Sequence, residues 1–325
     1  MKPIVKYLSI AALSLCAMHA SAQSAVNDYP NKPVRWVVTF TPGASNDIVA
    51  RLIAGKLTEM LGNQFVIDNR GGAGGLVGAE MVAKAPPDGY TLLFTNPAPN
   101  INAPMMAKKP PYRVDDFTPI VFFGYTPLII AAHPSFPAKN PKELIAALKA
   151  SPGKYTWGSS GNGSSLHIGL ALFQLATGTD VVHVPYKGSA PALTDLVGGQ
   201  IQLMHTTKVS ADGQIKAGRV RILGVASAKR SQALPDVPTL AESGIKDAEA
   251  VTWFGMAAPA RTPRGIVDKL NAASNKVLAM PDVRKRLEDD GVDVQGGTPE
   301  EFTRFIKKET GRIEKLLKTG ALTKD

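Results

Sequence analysis

Several short stretches of this chain combine residue types that bind or transform small molecules. Val66–Lys84, VIDNRGGAGGLVGAEMVAK, reads as a strand, a glycine-rich turn and a helix, a setting in which backbone amides can cradle phosphate. The dinucleotide fingerprint needs G-x-G-x-x-G after the first strand and an acid at the end of the next. Here Gly72, Gly74 and Gly78 are spaced G-x-G-x-x-x-G, and the following strand ends in Thr95-Asn96 without a carboxylate. The sequence has no G-x-x-x-x-G-K-[ST] run either. A nucleotide-dependent oxidoreductase is therefore disfavoured, and no cofactor is expected. The glycines are expected to let a helix enter tightly and pack at the edge of its lobe.

The plainer FTPGASND, Phe40–Asp47, carries better binding chemistry. Pro42 and Gly43 favour a tight turn, and Ser45 or Asn46 can cap the helix that follows. Free amides of a first helical turn form a seat for a carboxylate. This nominates Phe40, Thr41, Gly43, Ala44, Ser45 and Asn46 as ligand contacts. Asp47 either touches the ligand or complements the helix dipole. TNPAPN, Thr95–Asn100, adds Asn96. WGSSGNGSSLHIG feeds a second helix through a hydroxyl-rich loop and adds Ser159, Ser160, Gly163, Ser164 and His167. HVPYKGSAPALTDL gives a third loop, Pro185–Ser189, before a helix starting near Ala190, and adds Lys187 and Gly188, where the lysine either meets an anion or is simply solvated. Thr206 and Thr207 follow a strand and can donate hydrogen bonds. His167 either braces its loop or lines the cleft. Paired with Ser160 or Ser164 it would instead serve an exported serine-type hydrolase, although no G-x-S-x-G elbow is present. None of the five histidines lies at i, i+4 spacing from another, so no metal site is expected.

The elements that must position these residues alternate regularly. Val34–Phe40 reads as a strand and Asn46–Leu61 as a helix, with its stripe at Ile48, Leu52, Ile53, Leu57, Met60 and Leu61. Phe65–Asp68, Leu76–Ala85 and Tyr90–Thr95 complete β-α-β-α-β, the signature of a doubly wound, mostly parallel sheet. In strand order 2-1-3 the ligand crevice lies between strands 1 and 3. The turns Phe40–Asp47 and Thr95–Asn100 would face it, while the glycine turn follows an edge strand. A second unit begins beyond the proline-rich stretch 97–119. Asn140-Pro141-Lys142-Glu143 and Thr298-Pro299-Glu300-Glu301 carry capping-box chemistry at two helix starts. Trp253–Ala258 reads as a returning strand, and the C-terminal helices lack a sheet of their own. The expected division is lobe 1 over 23–126 and 251–325, and lobe 2 over 127–250, with a cleft between.

Composition narrows the class. The 325 residues carry a formal net charge of +10. Lysines and arginines are scattered without dense basic runs or aromatic interleaving, so nucleic acid is not expected as a partner. A solvated basic surface that steers anions is. Lys2, Lys6, the apolar run Leu8–Ala17 and Ala20-Ser21-Ala22 make a secretory signal over 1–22, cut before Gln23. The sole cysteine, Cys16, would leave with it, and Leu15 is a poor residue to precede a lipidated cysteine. No later stretch is long and apolar enough to span a membrane.

Taken together the motifs resemble a known family. YPNKPVRWVVTFTPGASNDIVAR, NRGGAGGLVGAEMVAKAPPDGYTLL, WGSSGNGSSLHIG, HVPYKGSAPALTDLVGGQIQLM, SAKRSQALPDVPTLAESG and WFGMAAPARTP occur in the order of the Bug (TctC-like) receptors of tripartite tricarboxylate transporters. The resemblance covers nearly the whole mature chain. It implies a two-lobed, type II-like Venus-flytrap fold of α/β lobes. It further implies a periplasmic, monomeric receptor for a small aliphatic or aromatic carboxylate, with no chemistry on the ligand. The ligand would be held by Phe40–Asp47, Thr95–Asn100, Ser159–Ser165, Pro185–Ser189 and Thr206-Thr207, then delivered to a two-component membrane permease. Two positions depart from the pattern. Ala44 replaces a glycine, which would restrict a backbone at φ > 0, and Ala171 stands where a glutamate is frequent.

Overall fold

The computed structural model describes residues 28–318, 320 and 322; the expected signal segment lies outside them. The first unit runs β1 (Val34–Val38), α1 (Ser45–Leu61), β2 (Phe65–Asn69), α2 (Leu76–Ala83) and β3 (Thr91–Thr95). A π-helical turn (Ala98–Asn102) and the short α3 (Ala103–Met106) lead to β4 (Phe117–Pro127). The second unit holds β5 (Ile129–Ala132), α4 (Pro141–Ala150), β6 (Thr156–Ser159), α5 (Ser165–Thr177), β7 (Val182–Pro185), α6 (Ser189–Val197), β8 (Leu203–Thr206), α7 (Lys208–Lys216) and β9 (Arg221–Val225). The chain returns through β10 (Val251–Pro259), α8 (Arg264–Ala279), α9 (Pro281–Asp289), β11 (Asp293–Val294) and α10 (Pro299–Lys318).

Local chemistry accounts for most of these elements. In α1 the buried residues Val49, Ala50, Ile53, Ala54 and Leu57 recur at helical spacing, and Gly62 ends the helix in the left-handed region at φ 72°. The capping box at Thr298 forms, while at Asn140 the glutamate reaches back one residue further, to Lys139. Asn140 Oδ1 accepts the Glu143 N–H at 3.0 Å while Glu143 Oε2 accepts the Lys139 N–H at 2.8 Å. Glu301 Oε2 accepts the Thr298 N–H at 2.8 Å, and Thr298 Oγ1 accepts that of Glu301 at 3.2 Å.

The first sheet has the order β11-β4-β10-β3-β1-β2 and the second β7-β6-β8-β5-β9. Strand β1 lies between β2 and β3 and is parallel to both, the expected 2-1-3 arrangement. The sheets are more mixed than the expected mostly parallel pattern. In the first, β10 runs antiparallel to both β3 and β4; in the second, β5 runs antiparallel to β8 and β9. The reason is the connectivity. The chain crosses between sheets at β4–β5 and comes back at β10, so crossing strands enter each sheet reversed. The two crossings are tied together: Leu128 N–H donates to Ala250 O at 2.9 Å, and Ala226 N–H to Leu128 O at 2.8 Å.

Each lobe has its own core, one around Trp36, Phe94, Phe123 and Phe254, the other around Trp157, Phe173 and Leu203. A further apolar cluster joins Ile168 and Leu172 of α5 to Ile101, Trp253 and Phe302. Among the described residues no helix is long and apolar enough to cross a membrane.

Candidate functional site

Three helices begin at one small cavity between the sheets. Its walls are Phe40, Ser45 and Asn46 at the start of α1, Asn96 just after β3, Ser160, Ser165 and Leu166 at the start of α5, Ser189 at the start of α6, and Thr252 on β10. The free space is about 20 Å³, room for roughly one water. No wall residue carries a charge. Each helix N-terminus nevertheless contributes about half a positive charge, so the cavity suits an anion without holding a cation.

Two wall atoms are buried without a partner: Asn46 Oδ1 and Asn96 Nδ2. Asn96 Oδ1 accepts the Ala98 N–H at 3.1 Å, which leaves Nδ2 as the donor available to the cavity. Thr41 Oγ1 and Thr206 Oγ1 are also buried and unpaired. A buried polar atom without a hydrogen bond costs about 1–3 kcal/mol. The two on the cavity wall, Asn46 Oδ1 and Asn96 Nδ2, point to a polar ligand or ordered water.

Local contacts decide which amides stay available on α1. Gly43 N–H donates to Asp47 Oδ2 at 3.0 Å, and Asp47 N–H to Ala44 O at 3.0 Å. Ser45 N–H donates across the cleft to Ser210 Oγ at 2.9 Å. That leaves the Asn46 N–H without a partner among the described residues. Asp47 is buried and accepts from Arg51 Nε at 3.0 Å. Burial would raise its pKa, but the bonds from Arg51, Gly43 and Asn69 outweigh that and hold it below the usual carboxylate range. It complements the helix dipole and pins the turn, and it is absent from the cavity wall.

The remaining candidates surround this centre. Gly43 is left-handed at φ 80°, whereas Ala44 has φ −73°. The restriction expected at Ala44 therefore does not arise, and its methyl packs with Phe40 and Ala98. Ala171 packs against the Trp253 cluster. Ser159 Oγ lies 2.6 Å from His183 Nε2 and accepts the Gly161 N–H at 3.1 Å. Ser164 caps α5 by accepting the His167 N–H at 3.2 Å. His167 Nδ1 accepts the Gly163 N–H at 3.2 Å, and its ring stacks on His183 at 4.4 Å. Both imidazoles thus brace the 159–163 loop. Thr207 caps α7 and donates to Ser210 Oγ at 3.2 Å. Lys187 is exposed and not on the wall.

Loops of the two lobes meet directly. A Cβ on Gly188 would overlap Thr41 Oγ1, and one on Gly74 would overlap Asn162 O. One on Gly71 would sit 3.1 Å from Lys187 O, and one on Gly163 3.2 Å from Ala103 Cα. The glycine-rich turn thus does more than pack a helix at the edge of its lobe, because Gly71 and Gly74 let it meet the other lobe. Sequence reasoning also missed Leu166, Thr252 and Ser210, and reached Ser165 and Ser189 only as the ends of the loops Ser159–Ser165 and Pro185–Ser189. Ser189 was one residue short of the expected helix start at Ala190. Thr252 sits on a crossing strand with no local motif.

Two α/β lobes, paired crossings and a helix-ringed cavity between the lobes define a two-lobed binding protein. The chain belongs to the family described as "Tripartite tricarboxylate transporter family receptor", whose profile matches residues 49–322. BugT of Bordetella pertussis is 33% identical over 324 residues, 99% of each chain. Among solved structures, a protein of R. palustris with adipate is 36% identical, covering 91% of this chain and 99% of its own, with a TM-score of 0.88. MatC from Rhodopseudomonas palustris with bound malate is 34% identical, with a TM-score of 0.84 over 89% of this chain and 99% of its own.

Proposed function

We propose that this chain is an exported receptor that closes its two lobes on a small organic carboxylate and delivers it to a two-component membrane permease. The observation that carries this is the convergence of α1, α5 and α6 N-termini, with Asn96 Nδ2 unpaired, on a cavity whose walls carry no charged side chain. The related structures with adipate and malate support the ligand class. In this reading residues 1–22 are removed, the mature monomer works in the periplasm, and 23–126 with 251–325 moves against 127–250. Phe40, Ser45, Asn46, Asn96 and Ser160 contact the ligand, with Thr41, Gly188 and Gly163 closing over it. The ligand is released unchanged. A thermal-shift panel of malate, adipate, citrate, benzoate and uncharged analogues tests this. A carboxylate should raise the melting temperature and bind one to one by calorimetry. A shift from an uncharged analogue alone would overturn the ligand class.

One contact favours a hydrolase instead, the short Ser159–His183 pair. Ser159 is fully buried and already tied to Gly161, which suits a loop brace better than a nucleophile. Ester turnover abolished by His183→Ala would reverse that judgement.

A further inference from the structure

A second interlobe groove of about 540 Å³ lies just outside the closed seam. Ala73, Leu76 and Met106 form much of its first-lobe wall, and Asn162 with Gly163 closes it from the second lobe. Lys108 and Lys109 stand on its rim. Both are exposed, and neither has an ion-pair partner among the described residues. We propose that this groove is an outer anion site, where the two ammonium groups capture a carboxylate before closure passes it to the inner cavity.

The proposal rests on the carboxylate reading above and adds where such a ligand first meets the protein. The inner walls carry no full charge. Helix-terminal partial charges act over the first turn only, so they hold an anion but do not gather one from solution. Full charges reach about 8 Å at physiological salt. The groove borders contacts that must part for entry, Gly74 against Asn162 and Gly163 against Ala103. A single segment links the two sites. It starts at Asn96 on the inner wall, runs through the π-helical turn and α3, and ends at Lys108 and Lys109. The apolar floor gives the hydrocarbon of an organic acid a surface to rest on, leaving its carboxylate at the lysine rim.

Stopped-flow association of malate and adipate, at low and high salt, tests the proposal. The variant is Lys108→Gln/Lys109→Gln, and the charge-matched control is Lys142→Gln/Lys149→Gln on α4. Two fewer steering charges should slow association roughly fivefold at low salt and flatten its salt dependence. Dissociation and melting temperature should not change, and the control should behave as wild type. An unchanged association rate overturns the proposal. So does faster dissociation with unchanged association, which would make the lysines contacts of the bound ligand. If wild type binds neither acid nor any other carboxylate, the parent reading fails instead, and that is visible before any variant is compared.

Discussion

Gly188 isolates the energetics of closure in one residue. Its φ of 170° is extended backbone that any residue adopts, so an alanine there strains nothing locally. Its methyl would overlap Thr41 Oγ1 of the opposite lobe. Gly188→Ala should therefore leave ligand-free stability within about 0.5 kcal/mol of wild type. It should weaken ligand binding at least tenfold, about 1.4 kcal/mol, by calorimetry. Equal affinity would show that these loops do not meet in the bound state. His205 poses a different question. It is fully buried against Trp157 with both ring nitrogens unpaired, and burial pushes its pKa down to about 3. In the unfolded chain the ring takes a proton below about pH 6.5; in the fold it does not. Its contribution to stability is thus lost as pH falls from about 6.5 towards 3, by up to about 1.4 kcal/mol per pH unit. Between pH 7 and 5 this amounts to about 2 kcal/mol. Urea unfolding at the two pH values should show that loss in wild type and a smaller one in His205→Phe.

Among the elements, α7 does the least expected work. It belongs to the second lobe by connectivity, yet Val209 packs into the first lobe's core while Ala211 packs into its own. Lys208 Nζ donates to Asp289 O at the end of α9 and to Asp212 Oδ1, each at 2.8 Å. A cation at a helix C-terminus satisfies orphan carbonyls and complements the dipole. Here it does so across the cleft. Lys208→Met keeps the stem and removes the bonds, so the ligand-bound protein should be less compact in small-angle scattering and ligand affinity should fall about threefold to tenfold. Unchanged scattering and affinity would mean the lobes close without this tie. Sequence pattern did not reveal α7, because its apolar positions face two cores and leave no single stripe. The π-helical turn and α3 were likewise hidden inside a proline-rich stretch. By contrast the stripe of α1 and the caps of α4 and α10 were legible, being set by residues three or four apart, whereas α1 begins at Ser45 with Ala44 as its N-cap and no side-chain cap from the expected Ser45 or Asn46.

At the level of the whole molecule, legibility follows the range of the interactions. The β-α-β-α-β start, the 2-1-3 strand order and the placing of the Phe40–Asp47 turn beside the crevice were all readable, because each depends on neighbouring elements and on chain handedness. The antiparallel insertion of β10 between β3 and β4 was not, since it pairs Gly255 with Thr95 and Trp253 with Tyr125. No local pattern encodes such a partner. For the same reason Thr252 and Ser210 escaped notice, while Ser45, Asn46 and Asn96 could be nominated from their turns. The sequence by itself determined the two α/β units, the capped starts of α4 and α10 and the residue types offered to a ligand, because periodicity, capping and turn chemistry act over a few residues. Only the tertiary structure decided which amides remain free, which glycines meet the opposite lobe and where three helix ends converge. Those depend on contacts between segments that come together only when two separately cored lobes are brought face to face.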